Sequence, residues 1–198
     1  MDAEPSRKSS LQPPGAAASL PRAPAVLLLI DFINTLQFPG VEGPTPAALV
    51  AARAAARLKR RLRAQGVPAI YANDNYGQWR SEFGALCAHC KTLPGEAGAI
   101  ARVLAPRRND LAVLKPRHSA FLGTPLELIL EQMHARRLIL AGLATDICVP
   151  LTATDAHLRG CRLWIPADCT VAECTDAKQS SLAYMKRVLK ADIRPTKA

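Results

Sequence analysis

Residues Leu138–His157 read LILAGLATDICVPLTATDAH. The first part, taken with Arg136 and Arg137 as RRLILAG, is a short apolar run of the kind that forms a buried parallel strand. The second part, from Thr145 onward, reads as a helix closed by Gly160. A strand therefore passes into a helix through the few residues Gly142-Leu143-Ala144-Thr145, and Cys148 stands where the helix begins. A structural cysteine can sit anywhere on an apolar face. A nucleophilic one has reason to sit here, because backbone N–H groups and the helix dipole stabilise a thiolate and lower its pKa. We therefore expect a depressed Cys148 pKa.

The same alternation extends in both directions along the chain. AVLLLIDFIN is a continuous apolar run that ends in Asp31. TPAALVAARAAARLKRRLRAQG is a helix with Thr45 as N-cap, Pro46 at its first position and Gly66 at its close. VPAIYAND and LAVLKP are two further strands, the second ending in Lys115. TPLELILEQMHA is a helix capped by Thr124, CRLWIPAD a fifth strand and DAKQSSLAYMKRVLKAD a final helix. Strands alternating with helices predict an α/β fold, a doubly wound, mostly parallel sheet covered by helices on both faces.

Such sheets bind ligands beyond the carboxyl ends of their strands. Asp31, Lys115 and Cys148 all fall there. Each alone reads as something ordinary: a turn cap, a surface charge, a core thiol. Together they form a nucleophile with the groups it needs. Asp31 serves as base if its apolar neighbours Leu29, Ile30 and Phe32 raise its pKa, and Lys115 balances the charge. The expected reaction is acyl transfer to Cys148 followed by hydrolysis of the thioester, with an oxyanion held by backbone N–H groups.

Composition bounds the alternatives. The 198 residues suit one domain able to bury a core, and 49% hydrophobic with 21% charged residues is typical of a soluble globular protein. A net charge of +10 raises the question of a nucleic-acid partner. Aromatic content of 5% argues against a base-stacking surface, and no groove-reading motif is present. The densest basic cluster, Arg57, Lys59, Arg60, Arg61 and Arg63, reads as one solvated helix face. No apolar run approaches the ~20 residues of a membrane helix, and the N-terminus lacks a signal-like core. The expectations are a cytoplasmic protein with neither membrane nor nucleic-acid partner and with reduced thiols. The Pro/Ala/Ser bias of residues 1–24 predicts a disordered arm before a domain spanning 25–198.

Cys87-Ala-His-Cys90 has the spacing of half a zinc site or of a redox pair, but Cys169 and Cys174 do not supply the other half. The favoured reading is a helical segment carrying buried or half-exposed thiols. Cys161 reads as core. Residues 76–107, punctuated by Gly and Pro, read as a long loop acting as a lid or an oligomer contact. His134 and His157 read as helix-surface residues. His118, on a turn after Lys115, is expected to point away from the site.

LLLIDFIN, VLKPRHSAF and LILAGLATDICV, in that order, resemble the isochorismatase-like cysteine hydrolases, which include nicotinamidases and N-carbamoylsarcosine amidases. The resemblance runs from about Ala25 to Asp176. It implies a three-layer α/β/α fold and a catalytic triad of Asp31, Lys115 and Cys148. It also implies a cis peptide between Leu143 and Ala144 and an oxyanion hole formed by the N–H groups of Ala144 and Cys148. By position it implies substrate contacts from Phe38, Asn73, Asp74, Trp79 and Thr145, and it implies a homodimer or homotetramer. NDNYGQW can equally be a plain loop built of turn-forming residues.

One departure narrows the substrate. Nicotinamidases carry a metal-binding Asp-x-His arrangement after the second strand, whereas YANDNYGQWRSEF has no histidine before His89. We expect no metal and no cofactor, and an amide or ureido C–N bond of a small molecule as the target. The alternatives are an isochorismatase- or nicotinamidase-like hydrolase with a divergent pocket, an inactive binding member of the same fold, or a nucleic-acid-binding protein.

Overall fold

The apolar run Ala25–Ile30 forms β1, and its alternate residues serve two different cores. In this computed structural model, residues 20–37, 45–80 and 82–196 are described. β1 pairs in parallel with β2 (Ala69–Asp74) on one side and with β4 (Arg137–Leu143) on the other. β3 (Leu111–Lys115) lies outside β2. β5 (Arg162–Trp164) borders the first half of β4, and β6 (Thr170–Val171) borders its end. Among the described residues the strand order is β3-β2-β1-β4-β5, with β6 also on β4, and all of these pairings are parallel.

Val26, Leu28 and Ile30 point to the face covered by α4 (Leu126–Gln132), α5 (Cys148–Leu158) and α6 (Thr175–Arg187). Leu27 and Leu29 point to the face covered by α1 (Thr45–Ala64), α2 (Phe83–Thr92) and α3 (Gly95–Val103). A strand with both faces apolar has to be covered twice, and the three layers follow from that. The doubly wound α/β/α architecture expected from the sequence is the one observed.

The fold differs from the sequence expectations in four places. Residues 76–107 are not one long loop: the helical segment expected around Cys87 and Cys90 is α2, α3 follows it, and both cover the sheet, with Cys87, Cys90, Ile100 and Ala101. The thiols of Cys87 and Cys90 are therefore core groups, and burial pushes both up, that of Cys87 to about 11. Lys59 leaves the solvated face on which Arg57, Arg60, Arg61 and Arg63 lie. It turns inward to donate to Tyr71 Oη at 2.7 Å and to Asp110 Oδ2 at 2.5 Å. The two-residue β6 is too short to show periodicity in the sequence. Before Ala25, Leu20 packs on the core and Ala23 donates its N–H to the Met133 carbonyl at 2.9 Å. The expected arm otherwise falls on residues outside the described set.

Gly142 explains how closely β4 approaches β1. Its φ is +149°, and a Cβ there would lie 2.0 Å from the Ile30 carbonyl oxygen. Backbone cannot yield as a flexible side chain can. Gly142→Ala is expected to cost about 3 kcal/mol, read as a lower urea midpoint at unchanged m-value. An unchanged midpoint would show that the strands can part there freely.

Candidate active site

The carboxyl ends of β1, β3 and β4 bring Asp31, Lys115 and Cys148 together. Asp31 follows β1 directly, in the left-handed region at φ +50°, with its N–H donated to the Ala72 carbonyl at 2.9 Å. Lys115 is the last residue of β3 and is fully buried. Its Nζ lies 2.8 Å from Asp31 Oδ2, 3.6 Å from Cys148 Sγ and 3.9 Å from Asp74 Oδ2. The second oxygen of Asp31 accepts the Asp74 N–H at 2.9 Å. Asn34 donates its side-chain amide to the Asp31 carbonyl, which braces the turn from below.

Cys148 is the first residue of α5 and is half-buried. Lys115 stands on the inner side of its sulfur. On the outer side stands the exposed His118, with Nδ1 3.7 Å from Sγ. This corrects the expectation that His118 points away. The cause lies in its neighbours, which pin the turn after β3 onto α5. Ser119 Oγ donates to Asp155 Oδ2 at 2.5 Å, and the Ala120 N–H donates to Thr152 Oγ1 at 3.1 Å. Nothing local in PRHSAF announces those partners, which lie more than 30 residues away.

The electrostatics also depart from the sequence expectation. Cys148 is not held as a thiolate. Burial and the negative charge of Asp31 push its thiol up to about 12, and the opposing pull of Lys115 does not cancel them. Burial likewise raises the Asp31 carboxyl, against the hydrogen bonds and charge of Lys115. Burial acts to lower Lys115, but Asp31 and Cys148 more than offset it, so the ammonium is reinforced. One cation faces two potential anions in a dry site, so one proton stays on the hydrogen-bonded Asp31–Cys148 pair. Such a pair can transfer that proton to the carboxylate as sulfur attacks an electrophile.

Between β4 and α5 the Leu143–Ala144 peptide is cis. Among the described residues, the N–H groups of Ala144 and Cys148 have no acceptor within the chain, whereas the Thr145 N–H is spent on the Val171 carbonyl at 2.9 Å. Two free N–H donors on the segment that carries a thiol are a chemistry able to hold an oxyanion.

The five residues named as substrate contacts separate. Asp74 borders the site through Lys115, and its side chain is 39% exposed. Trp79 is 80% exposed and lies on the surface. Asn73 is instead buried and donates to the Ile33 carbonyl at 2.8 Å. Thr145 is fully buried, and its carbonyl accepts from Ser181 Oγ at 2.7 Å. Both side chains are buried. Phe38 lies outside the described residues. Tyr76, 45% exposed, lies next to Asp74, whose Oδ1 accepts its N–H at 2.6 Å.

Asp168, on the segment after β5, has a structural role. It accepts from the Thr196 N–H at 2.8 Å and from its hydroxyl. Among the described residues no three His, Cys, Asp or Glu side chains cluster as metal ligands, and no helix is long and apolar enough to cross a membrane. After β2 the donor set is Asp74 with two asparagines, of which Asn73 and Asn75 are engaged with backbone N–H or carbonyl groups. That set does not fit the metal of the nicotinamidase type.

Comparison with known proteins supplies a context for this geometry. A family model described as isochorismatase domain matches residues 25–193. An isochorismatase family protein of Bacillus subtilis is 32% identical over 172 residues, 87% of this chain and 94% of that protein. The N-carbamoylsarcosine amidase of Arthrobacter is 31% identical over 73% of this chain and 58% of its own length. Among solved structures, the N-carbamoylsarcosine amidase of Thermoplasma acidophilum superposes with a TM-score of 0.70. It is 25% identical, and the match covers 89% of this chain and 98% of that one.

Proposed function

The chain belongs to the isochorismatase family, and from that footing we propose that it is a cysteine hydrolase cleaving an amide or ureido C–N bond of a small molecule. The observation that carries this reading is the buried cluster in which Lys115 Nζ lies 2.8 Å from Asp31 and 3.6 Å from Cys148. Relatives named maleamate amidohydrolase and N-carbamoylsarcosine amidase support the bond type.

Asp31 accepts the thiol proton as Sγ attacks the substrate carbonyl. The carbonyl oxygen becomes an oxyanion facing the N–H groups of Ala144 and Cys148. Collapse of the intermediate breaks the C–N bond, and Asp31 returns its proton to the leaving nitrogen. The product is an acyl group on Cys148, which water then releases. Lys115 stays cationic throughout and holds the carboxylate toward the sulfur.

The test is a screen of small amides and ureides, maleamate and N-carbamoylsarcosine among them, for ammonia release. Asp31→Asn is run beside the wild type. It is expected to lower kcat/KM roughly 10³-fold. The base must be unprotonated, and its proton affinity is raised in the folded protein. Activity should therefore climb with pH through an inflection above the ordinary carboxylate value of 3.8. The residual activity of Asp31→Asn should lack that limb. Full activity in the variant would sink the assignment of Asp31 as base.

A further inference from the structure

Two arginines stand side by side at the amino edge of the sheet. Arg137 opens β4 and Arg162 opens β5, and the two are register partners on adjacent parallel strands. Neighbouring strands run about 4.8 Å apart, so the two cations leave the backbone close together. Both residues are exposed, and among the described residues neither forms an ion pair. Like charges at paired positions are unfavourable, and an anion between them removes that cost.

The pair opens onto a cleft of about 430 Å³, a volume within the range of small-ligand sites. His157 and Lys190 add to its basic lining. Helix ends account for those two. His157 lies in the last turn of α5, and Lys190 Nζ donates to the Arg187 carbonyl at the end of α6 at 2.9 Å. The arginines open strands, so no helix end accounts for them. Asp192 is the carboxylate on the lining, and Arg194 grips both of its oxygens, through Nε at 3.0 and 3.1 Å and through Nη2 at 2.6 Å. Asp192 is therefore already paired, and the cleft keeps an excess of positive charge. Trp164 also borders it, half-buried, with its ring held by the Nε1–H bond to the Arg194 carbonyl at 2.9 Å.

We propose that this cleft is a second binding site, for a small phosphate monoester whose organic part is planar or apolar. Three terminal oxygens of a phosphate dianion suit two guanidinium forks and the Lys190 ammonium. The organic group lies against Trp164. A carboxylate brings one charge and two oxygens, and so leaves cations over. A nucleic-acid backbone is met by an extended basic surface, whereas these cations converge on one cleft. The site is separate from Cys148. The seven residues of β4 run roughly 20 Å from Arg137 toward the carboxyl edge, where ligands of such sheets ordinarily bind. The proposal is independent of the hydrolase reading and stands or falls without it.

The probe is phenyl phosphate, titrated into the protein while NMR follows the indole N–H of Trp164, assigned with Trp164→Phe. Inorganic phosphate and benzoate are run beside it at matched ionic strength. Wild type, Arg137→Gln, Arg162→Gln and the double variant are compared. Phenyl phosphate should shift the resonance saturably and bind roughly 10-fold more tightly than either control. Each single variant should weaken it by roughly 10-fold or more, and the double variant should abolish it. Both arginines are exposed, so the variants should keep the wild-type urea midpoint.

A Trp164 resonance that never moves would overturn the proposal. So would equal affinity for the three anions that fades with added salt, since that marks a general basic surface. An unchanged response in the double variant would do the same. A short single-stranded RNA that displaces phenyl phosphate at lower concentration, with steep salt dependence, would assign this face to nucleic acid instead.

Discussion

Cys148→Ala is expected to abolish turnover, by roughly 10⁴-fold or more, while leaving the fold in place. On the proposed mechanism Cys148 is the group whose loss its neighbours cannot cover: Asp31 would deprotonate it and Lys115 would position that carboxylate, and neither would take the acyl group. The fold should tolerate the change because the side chain is half-buried and leaves little cavity. Cys148→Ser should be nearly as inactive. A hydroxyl is a weaker nucleophile than a thiol, and the same burial and Asp31 charge oppose its ionisation.

A linked effect on stability has a definite sign. The folded state raises the Cys148 thiol from 9.0 to about 12 and so holds that proton more tightly than the unfolded chain does. Stability should therefore fall as pH rises above about 9. Part of that fall should vanish in Cys148→Ala, as read by urea midpoints from pH 8 to pH 11, the wild type beside the variant. A wild-type thiol that alkylates at neutral pH as fast as a free thiolate would instead mean the site stabilises the anion at rest.

Lys115→Met is expected to destabilise the protein by about 3–5 kcal/mol as well as to inactivate it. The ammonium is fully buried, and among the described residues its removal leaves the buried Asp31 carboxylate with only the Asp74 N–H and the Cys148 thiol as close donors. Methionine fills much of the space, so the cost is electrostatic rather than a cavity. Protonation of Asp31 would offset only part of that cost and would remove the proposed base as well. The double variant Lys115→Met with Asp31→Asn separates the two effects. It should recover stability relative to the single change while staying inactive, because the uncompensated charge is gone. Urea unfolding of the four proteins gives the coupling energy. A single-variant cost below about 1 kcal/mol would show that the pair is solvated, as exposed ion pairs are.

Much of this was legible in the residues. AVLLLIDFIN and RRLILAG are apolar at every core position, and a strand of that kind must be covered on both faces. Alternation of such strands with capped helices then dictates the layers. The strand ends follow, so the sequence itself sets Asp31, Lys115 and Cys148 at one edge of the sheet. Period and polarity are local properties, carried by residues a few places apart.

Other features depend on partners distant in the chain. Lys59 reads as part of a basic helix face, yet Tyr71 and Asp110 draw it inward. His118 reads as a turn residue, yet Asp155 and Thr152 hold its turn against α5. A cysteine at a helix start reads as an activated thiolate, because the local dipole is visible in sequence and burial is not. Assembly of the site removes water and sets the Asp31 charge beside the sulfur, and together these outweigh the help from Lys115. The residue types and their order along the sheet were thus decided locally. Which side chains are dry, which face each other and where the shared proton rests were decided by tertiary packing, since desolvation and charge pairing depend on distance in space.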